Sequence, residues 1–284
     1  MAGAGLIAIR RRVKSVTNTK KITKAMGLVA TAKLRKTREQ LMVNNKYYSS
    51  VKESFDTLVN SMEDHFGMYF EGNSSNNKLY IVFTSDSGLC GGYNGSVTSY
   101  AIERMENTEE KSLIIMVGQK GKGYFNKLGY STAAEFFEIP DIPKAEDIRP
   151  ILDKALELYD EEKVGEINVI YSKFISPVKQ AVVSEKLIPF DFNQKESEGK
   201  TFEFEPNIEE CFTLLKNVYL EARLLNNILD AKASEHSSRM AAMNGATQNA
   251  NDLLDKLNLK FNRIRQSAIT QEISEIVGGA QAQR

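Results

Sequence analysis

The residues best equipped for chemistry in this sequence are Ser85-Asp86-Ser87-Gly88-Leu89-Cys90-Gly91-Gly92-Tyr93-Asn94, a glycine-rich run at the end of the apolar segment LYIVFTS. A glycine turn between a strand and a helix can hold a phosphate, because the turn stays tight and the helix N-terminus offers free N–H groups. The glycines stand at 88, 91, 92 and 95, which is not the GxGxxG spacing of dinucleotide sites. A second run, Gly118-Gln119-Lys120-Gly121-Lys122-Gly123, is followed by Tyr124 and lacks the GK[ST] ending of a P-loop. Both runs read as structural turns at sheet ends. Cys90 as a nucleophile would need a base, and the two histidines, His65 and His236, fall in the helical ends of the chain. With Cys211 these make only four soft metal ligands, far apart in sequence, which argues against a structural zinc site. Asp86, Glu135 and Asp147 belong to no paired-carboxylate motif, and HExxH, DxDxDG and GxSxG are absent. No autonomous catalytic, cofactor or metal site is expected.

The elements around these runs have a recognisable grammar. Residues 79–85 and 112–118 are continuous apolar, β-rich stretches, each followed by glycines and a predicted helix, at about 93–107 and 122–130. A third helix is predicted at 148–162, then strands at 166–174 and 178–190. Residues 191–205 read as a polar turn with a short alternating edge strand. Strand, helix, strand, helix, strands predicts a small Rossmann-like α/β domain with a mostly parallel sheet.

All six prolines lie between Pro140 and Pro206, so both ends of the chain are free of them. From Ile7 to Phe66 good helix formers dominate, and about 50 to 55 residues of helix would reach about 80 Å, beyond the diameter of a compact domain. From Ile208 to Val277 only Gly245 interrupts a second helical pattern, in which Leu253, Leu257, Phe261, Ile264 and Ala268 form a coiled-coil stripe. The Gly278–Gly279 pair marks its expected end. Neither helix can bury its stripe alone. The predicted fold is therefore an α/β domain at 75–205 carried between an N-terminal helix (1–66) and a C-terminal helix (207–284) that form a long antiparallel coiled coil. The excess length of the second helix must project or pack on the middle domain.

Charge is distributed as unevenly as proline. The 284 residues carry 37 basic and 37 acidic side chains, yet residues 1–40 hold eleven basic groups against one acidic group, Glu39, a local net charge of +10. The arm is open to three readings: a solvated helix face, a nucleic-acid grip, or a docking surface for an acidic protein. It lacks aromatic residues, and one acid leaves few i,i+4 partners for its cations. No stretch of 18 or more apolar residues occurs that would span a membrane. The apolar run before the first basic cluster is too short for a secretory signal.

Three segments resemble hallmark segments of the gamma-subunit, or central-stalk, family of bacterial F-type ATP synthases. They are IRRRVKSVTNTKKITKAMGLVATAKL (9–34), SDSGLCGGYN (85–94) and SSRMAAMNGATQNANDLLDKLNLKFNRIRQSAITQEISEIVGGAQA (237–282). The resemblance implies a non-catalytic rotor shaft without cofactor, turning inside a hexamer of three alpha and three beta subunits (3:3:1) and seated with an epsilon subunit on the membrane c ring. It implies coupling of proton transport to ATP synthesis or hydrolysis, and a peripheral place on the cytoplasmic face of the bacterial cell membrane, reached through the complex. By the same likeness Met26, Arg239, Arg265, Gln266, Thr270 and Glu272 match positions that meet beta, and Phe202 and Glu205 match positions near the c ring and epsilon. The chain departs from the family at Gly27-Leu28, where a polar residue is common, and at Ser87, where an arginine is common. Two other readings remain: a small α/β nucleotide hydrolase, motivated by the glycine loop, and a basic coiled-coil protein for nucleic acid, motivated by the arm.

Overall fold

A computed structural model describes residues 2–62, 67–106, 111–130, 132–191 and 203–282, with the backbone alone for residues 2–4, 272 and 282. In chain order the elements are α1 (Ala2–Asn60), α2 (Met68–Glu71), β1 (Lys78–Phe83), α3 (Tyr93–Glu106), β2 (Ser112–Val117), α4 (Gln119–Lys127), β3 (Thr132–Phe136), α5 (Ala145–Asp160), β4 (Glu166–Ser176), β5 (Lys179–Ile188) and α6 (Ile208–Ala282). The fold is the expected one: long terminal helices that pack together and an intervening α/β domain. The chain divides into two compact units, Ala30–Arg239 and Met1–Val29 with Met240–Arg284.

In the larger unit the sheet order is β3-β2-β1-β4-β5, with β1 to β4 parallel and β5 antiparallel to β4. Alternation along β1 divides its side chains between two cores. Leu79, Ile81 and Phe83 join Ile115, Val117, Val169 and Tyr171 against α5 and the α1 and α6 residues Phe55, Val59, Leu220 and Ile228. Tyr80 and Val82 join Ile114, Met116 and Ile170 against Val97, Ala101 and Met105 of α3 and Phe125 of α4. Helices thus cover both faces, as the continuous apolar strands require. Where α1 meets α6, Phe55 stacks on Tyr219 with centroids 4.4 Å apart and meets Phe190 edge-on at 5.0 Å, contacts worth about 0.5–1.5 kcal/mol each beyond burial.

Three elements differ from the sequence expectation. Strand β3 was not foreseen, because TAAEF has no bulky apolar run and is only half-buried at the sheet edge. Helix α4 begins at Gln119 rather than near 122, since Gly118 takes φ 96 there. A Cβ on Gly118 would lie 2.1 Å from the Thr84 carbonyl oxygen, so the β2–α4 turn admits only glycine. Helix α6 continues through Gly245, Gly278 and Gly279 to Ala282. All three glycines have open space around them, and an exposed helical glycine costs only about 1 kcal/mol against alanine. Of residues 191–205, the described ones, 191 and 203–205, form no strand.

Helix α1 buries one stripe along most of its length. Ile9, Val16, Thr23, Ala30, Thr37, Asn44, Val51 and Leu58 recur every seven residues, with Leu34, Leu41 and Phe55 between them. A 3.5-residue repeat is the signature of left-handed supercoiling. Its polar members are partnered: Asn44 Nδ2 donates to Asn226 Oδ1 at 3.1 Å, and Thr37 Oγ1 to the Asp141 carbonyl at 3.4 Å. In the smaller unit Thr23 Oγ1 lies 2.8 Å from Thr247 Oγ1, and Arg10 stacks over Phe261. The paired numbers rise on one helix as they fall on the other, so the helices run antiparallel. The α6 seam there is Met243, Thr247, Ala250, Leu254, Leu257, Phe261, Ile264 and Ala268, with Leu254 in the seam where the sequence suggested Leu253. A Cβ on Gly27 would come within 3.1 Å of Asn244 Oδ1, so this departure from the family pattern sits at a close helix approach.

Candidate functional site

In an open parallel sheet a ligand binds beyond the carboxyl ends of the strands, where successive connections leave in opposite directions. Here that point lies between β1 and β4. It is filled by the chain itself. Residues 230–239 of α6 cross it, and Asp230, Lys232, Glu235, His236 and Arg239 are all at least nine-tenths buried there. Tyr93 donates to the Ala231 carbonyl at 3.2 Å, Asp230 Oδ1 accepts from the Phe174 N–H at 3.3 Å, and Ser237 Oγ donates to the Pro177 carbonyl at 2.8 Å. Between helix and loop is a cavity of only about 10 Å³, lined by Thr84, Asp86, Gly118, Lys232 and Glu235 among others, room for about one water.

The glycine-rich loop is held from both sides. Arg239 Nη2 donates to the Ser87 carbonyl at 3.0 Å and to Ser87 Oγ at 2.9 Å, and its Nε to the Gly88 carbonyl at 3.3 Å. The same guanidinium pairs with Glu235 at 2.8 Å, and Lys232 Nζ stands 3.8 Å from Glu235 and 4.0 Å from Asp86. Asp86 Oδ1 accepts the Gln119 N–H at 3.1 Å. The Ser87 and Gly88 carbonyls of the loop are thus tied to Arg239, the Ser85 N–H to Asn94 Oδ1 at 2.9 Å, and the first amide of α4 to Asp86. Cys90, 2% exposed, touches Asn94 Nδ2 at 3.2 Å and Ser85 Oγ at 3.6 Å, the setting of a packed thiol. Burial pushes the Asp230 carboxyl up to about 6. Asp141, in contrast, is held well below the usual carboxylate range by His236 and, next, by Lys33, against the opposing effect of burial.

The far end of α6 has the opposite character. Beyond Ala268 every described side chain is exposed, and Arg265, Gln266 and Thr270 are exposed together with Ile269, Ile273, Ile276 and Val277. Thr270 Oγ1 donates to the Gln266 carbonyl at 3.0 Å, which keeps its side chain along the helix. An uncovered helix surface that mixes apolar and hydrogen-bonding groups suits insertion into another protein.

The ATP synthase family matches this chain over residues 5–283. An ATP synthase gamma chain of Clostridium novyi is 55% identical, and one of Clostridium botulinum (strain Langeland) is 54% identical, each over 284 residues and the full length of both proteins. The chain belongs to the ATP synthase gamma-chain family. Among solved structures, a central-stalk chain of Tetrahymena thermophila mitochondrial ATP synthase superimposes with TM-score 0.63 at 22% identity, over 79% of this chain and 99% of that one. A chain of Euglena gracilis mitochondrial ATP synthase gives TM-score 0.69 at 16% identity, over 99% of this chain and 95% of the other. At such identities these two matches speak for the fold.

The positions carried over from the gamma-chain family do not converge on one place. Arg265, Gln266 and Thr270 share the exposed end of α6, and Met26 is half-buried on α1 in the same unit. Arg239, 8% exposed, spends its donors on Glu235, His236, Ser87 and Gly88 of its own chain. Glu205 is exposed before Pro206, and its carbonyl faces Cys211 Sγ at 3.5 Å. The expected contacts Phe202 and, for its side chain, Glu272 lie outside the described residues, as does His65. Sequence reasoning missed the Asp141–His236 pair. The available signal was the run of polar types from Asp230 to Arg239 inside a helix whose flanks are apolar.

Proposed function

We infer that this chain is the rotary coupling subunit of a proton-translocating ATP synthase, non-catalytic by itself, transmitting torque between a membrane c ring and the sites where ATP is made or hydrolysed. The observation that carries this reading is full-length identity of 54–55% to ATP synthase gamma chains. The geometry supplies the means. A two-helix seam with a 3.5-residue repeat resists twisting better than one helix, and the α6 end is free of intrachain cover. Closure of the glycine-rich crevice by α6 removes the ground for an independent nucleotide hydrolase.

The finer assignments follow from this reading. One chain would serve three alpha and three beta subunits. Met26, Arg239, Arg265, Gln266, Thr270 and Glu272 would act toward beta, and Phe202 and Glu205 toward epsilon and the c ring. Exposed Arg10, Arg11, Arg12, Lys14, Lys21 and Lys24 place positive charge along α1, which an acidic surrounding surface would attract at every rotor angle. Smooth rotation needs many weak contacts, because a single hot spot of several kcal/mol would be an angular trap. The divisions 1–66, 75–205 and 207–284 would correspond to shaft, foot and shaft. No described helix is long and apolar enough to cross a membrane, so attachment would be peripheral, through the complex. Co-expression with alpha and beta followed by native mass measurement tests the assembly. A 3:3:1 complex is expected, and absence of any complex with alpha and beta would overturn the reading.

A further inference from the structure

Lys232 on α6 is 8% exposed and faces two carboxylates without touching either. Its Nζ stands 3.8 Å from Glu235 Oε2 and 4.0 Å from Asp86 Oδ2, beyond hydrogen-bond reach, and it makes no hydrogen bond among the described residues. An ammonium carries three N–H donors, and leaving them unused where water is nearly excluded is costly. The carboxylates have spare capacity as well. Glu235, 4% exposed, spends Oε1 on Arg239 at 2.8 Å, and Asp86 spends Oδ1 on the Gln119 N–H at 3.1 Å. Glu235 Oε2 and Asp86 Oδ2 are left to Lys232.

The cavity of about 10 Å³ beneath α6 is lined by these three side chains. Elsewhere its wall is apolar, as at Phe83, Val117 and Ile228, or hydrogen-bonded within the chain. Thr84 Oγ1 lies 3.0 Å from both the Gly118 carbonyl and the Gly121 N–H, and the Tyr93 hydroxyl donates to the Ala231 carbonyl at 3.2 Å. Size and charge then select the occupant. The volume admits about one water. A metal or ammonium ion would add positive charge beside Lys232, and a halide would add negative charge beside two carboxylates. We propose that this cavity binds one ordered water, which accepts a hydrogen bond from Lys232 Nζ and donates one each to Asp86 Oδ2 and Glu235 Oε2. An oxygen about 2.8 Å from Lys232 Nζ and from each carboxylate is compatible with the separations of 3.8 and 4.0 Å. Three hydrogen bonds are also the usual number for a buried water. The water is a structural link, because it joins α6 to the loop after β1 and, through Asp86, to the first amide of α4. The point of an open α/β sheet where other proteins hold a ligand holds a solvent molecule here, and its polar groups fasten the chain's own helix.

The test is a crystal structure of the full chain in complex with alpha and beta, at a resolution that shows ordered waters. One peak of water-like height is expected in the cavity, about 2.6–3.2 Å from Lys232 Nζ and from one oxygen each of Asp86 and Glu235. An empty cavity would overturn the proposal. So would a Lys232 that closes directly onto either carboxylate at hydrogen-bond distance. Crystals grown with rubidium as the monovalent cation, and others with bromide as the anion, separate water from an ion. No anomalous signal is expected at the site in either, and a rubidium or bromide peak there would overturn the assignment. Every partner of the water belongs to this chain, so the full chain crystallised alone is an equal test. Failure of the complex to form would bear on the rotary reading and leave this measurement open to the chain by itself.

Discussion

Asp230 is 5% exposed in the crevice crossed by α6, and its carboxyl is pushed from 3.8 up to about 6. Burial is the main cause, with the Phe174 N–H and Lys173 pulling the other way and Glu185 adding to it. Because the folded value exceeds the unfolded one, the folded protein holds this proton more tightly than the unfolded chain does. The burial penalty is therefore present in full above about pH 6 and is relieved as pH falls toward about 4. A shift of about two units, at about 1.4 kcal/mol each, sets that penalty on the order of 3 kcal/mol. Asp230→Asn removes the charge and keeps an oxygen for the Phe174 N–H, so it should stabilise the protein at about pH 8 by about 1–3 kcal/mol, with the upper figure reached if the new amide finds an acceptor. The gain should shrink toward zero by about pH 4. Urea unfolding of both proteins across this range measures it, and other titrating groups cancel in the difference. A variant no more stable at the alkaline end, or a difference independent of pH, would refute the reasoning.

Arg239→Met should lower stability by about 3–5 kcal/mol in the same assay, because Glu235 would remain buried with only Lys232 near it and two loop carbonyls would lose their donors. A loss under about 1 kcal/mol would show that the guanidinium is not the clamp of the 85–88 loop. Gly118→Ala should destabilise by about 2 kcal/mol or more, since the new Cβ meets the Thr84 carbonyl and φ is positive; an unchanged urea midpoint would contradict that turn. Truncation after Asn262 removes none of the buried core of the α/β domain, so the domain should unfold at its usual urea concentration while ATP-driven proton pumping weakens or is lost. Pumping at the full rate would contradict a coupling role for the exposed α6 end.

The first two parallel strands were legible because a strand buried on both faces must be apolar along its buried length, as LYIVF and LIIMV are. Strand β3 was not, since an edge strand of alanine and threonine carries no such mark. The long helices were visible from the placement of proline, but their seam was blurred. Thr23, Thr37, Asn44 and Thr247 stand in it and satisfy one another or a neighbouring carbonyl, which a hydrophobic pattern does not register. The same limit applies to the crevice. The glycine loop reads as a structural turn, and nothing local in the polar stretch of α6 shows what it meets, until folding sets Arg239 on Ser87 and His236 beside Asp141. Tertiary pairing of polar groups leaves no local period, so only the folded structure shows it. The exposed positions Arg265, Gln266 and Thr270 came from resemblance, because solvent-facing polar residues look alike in any helix.

Rotation itself tests the central claim most directly. With the alpha–beta hexamer immobilised and a probe attached to the α/β domain of this chain, ATP should drive continuous turning in one direction. A stationary probe on a complex that is hydrolysing ATP would contradict the account.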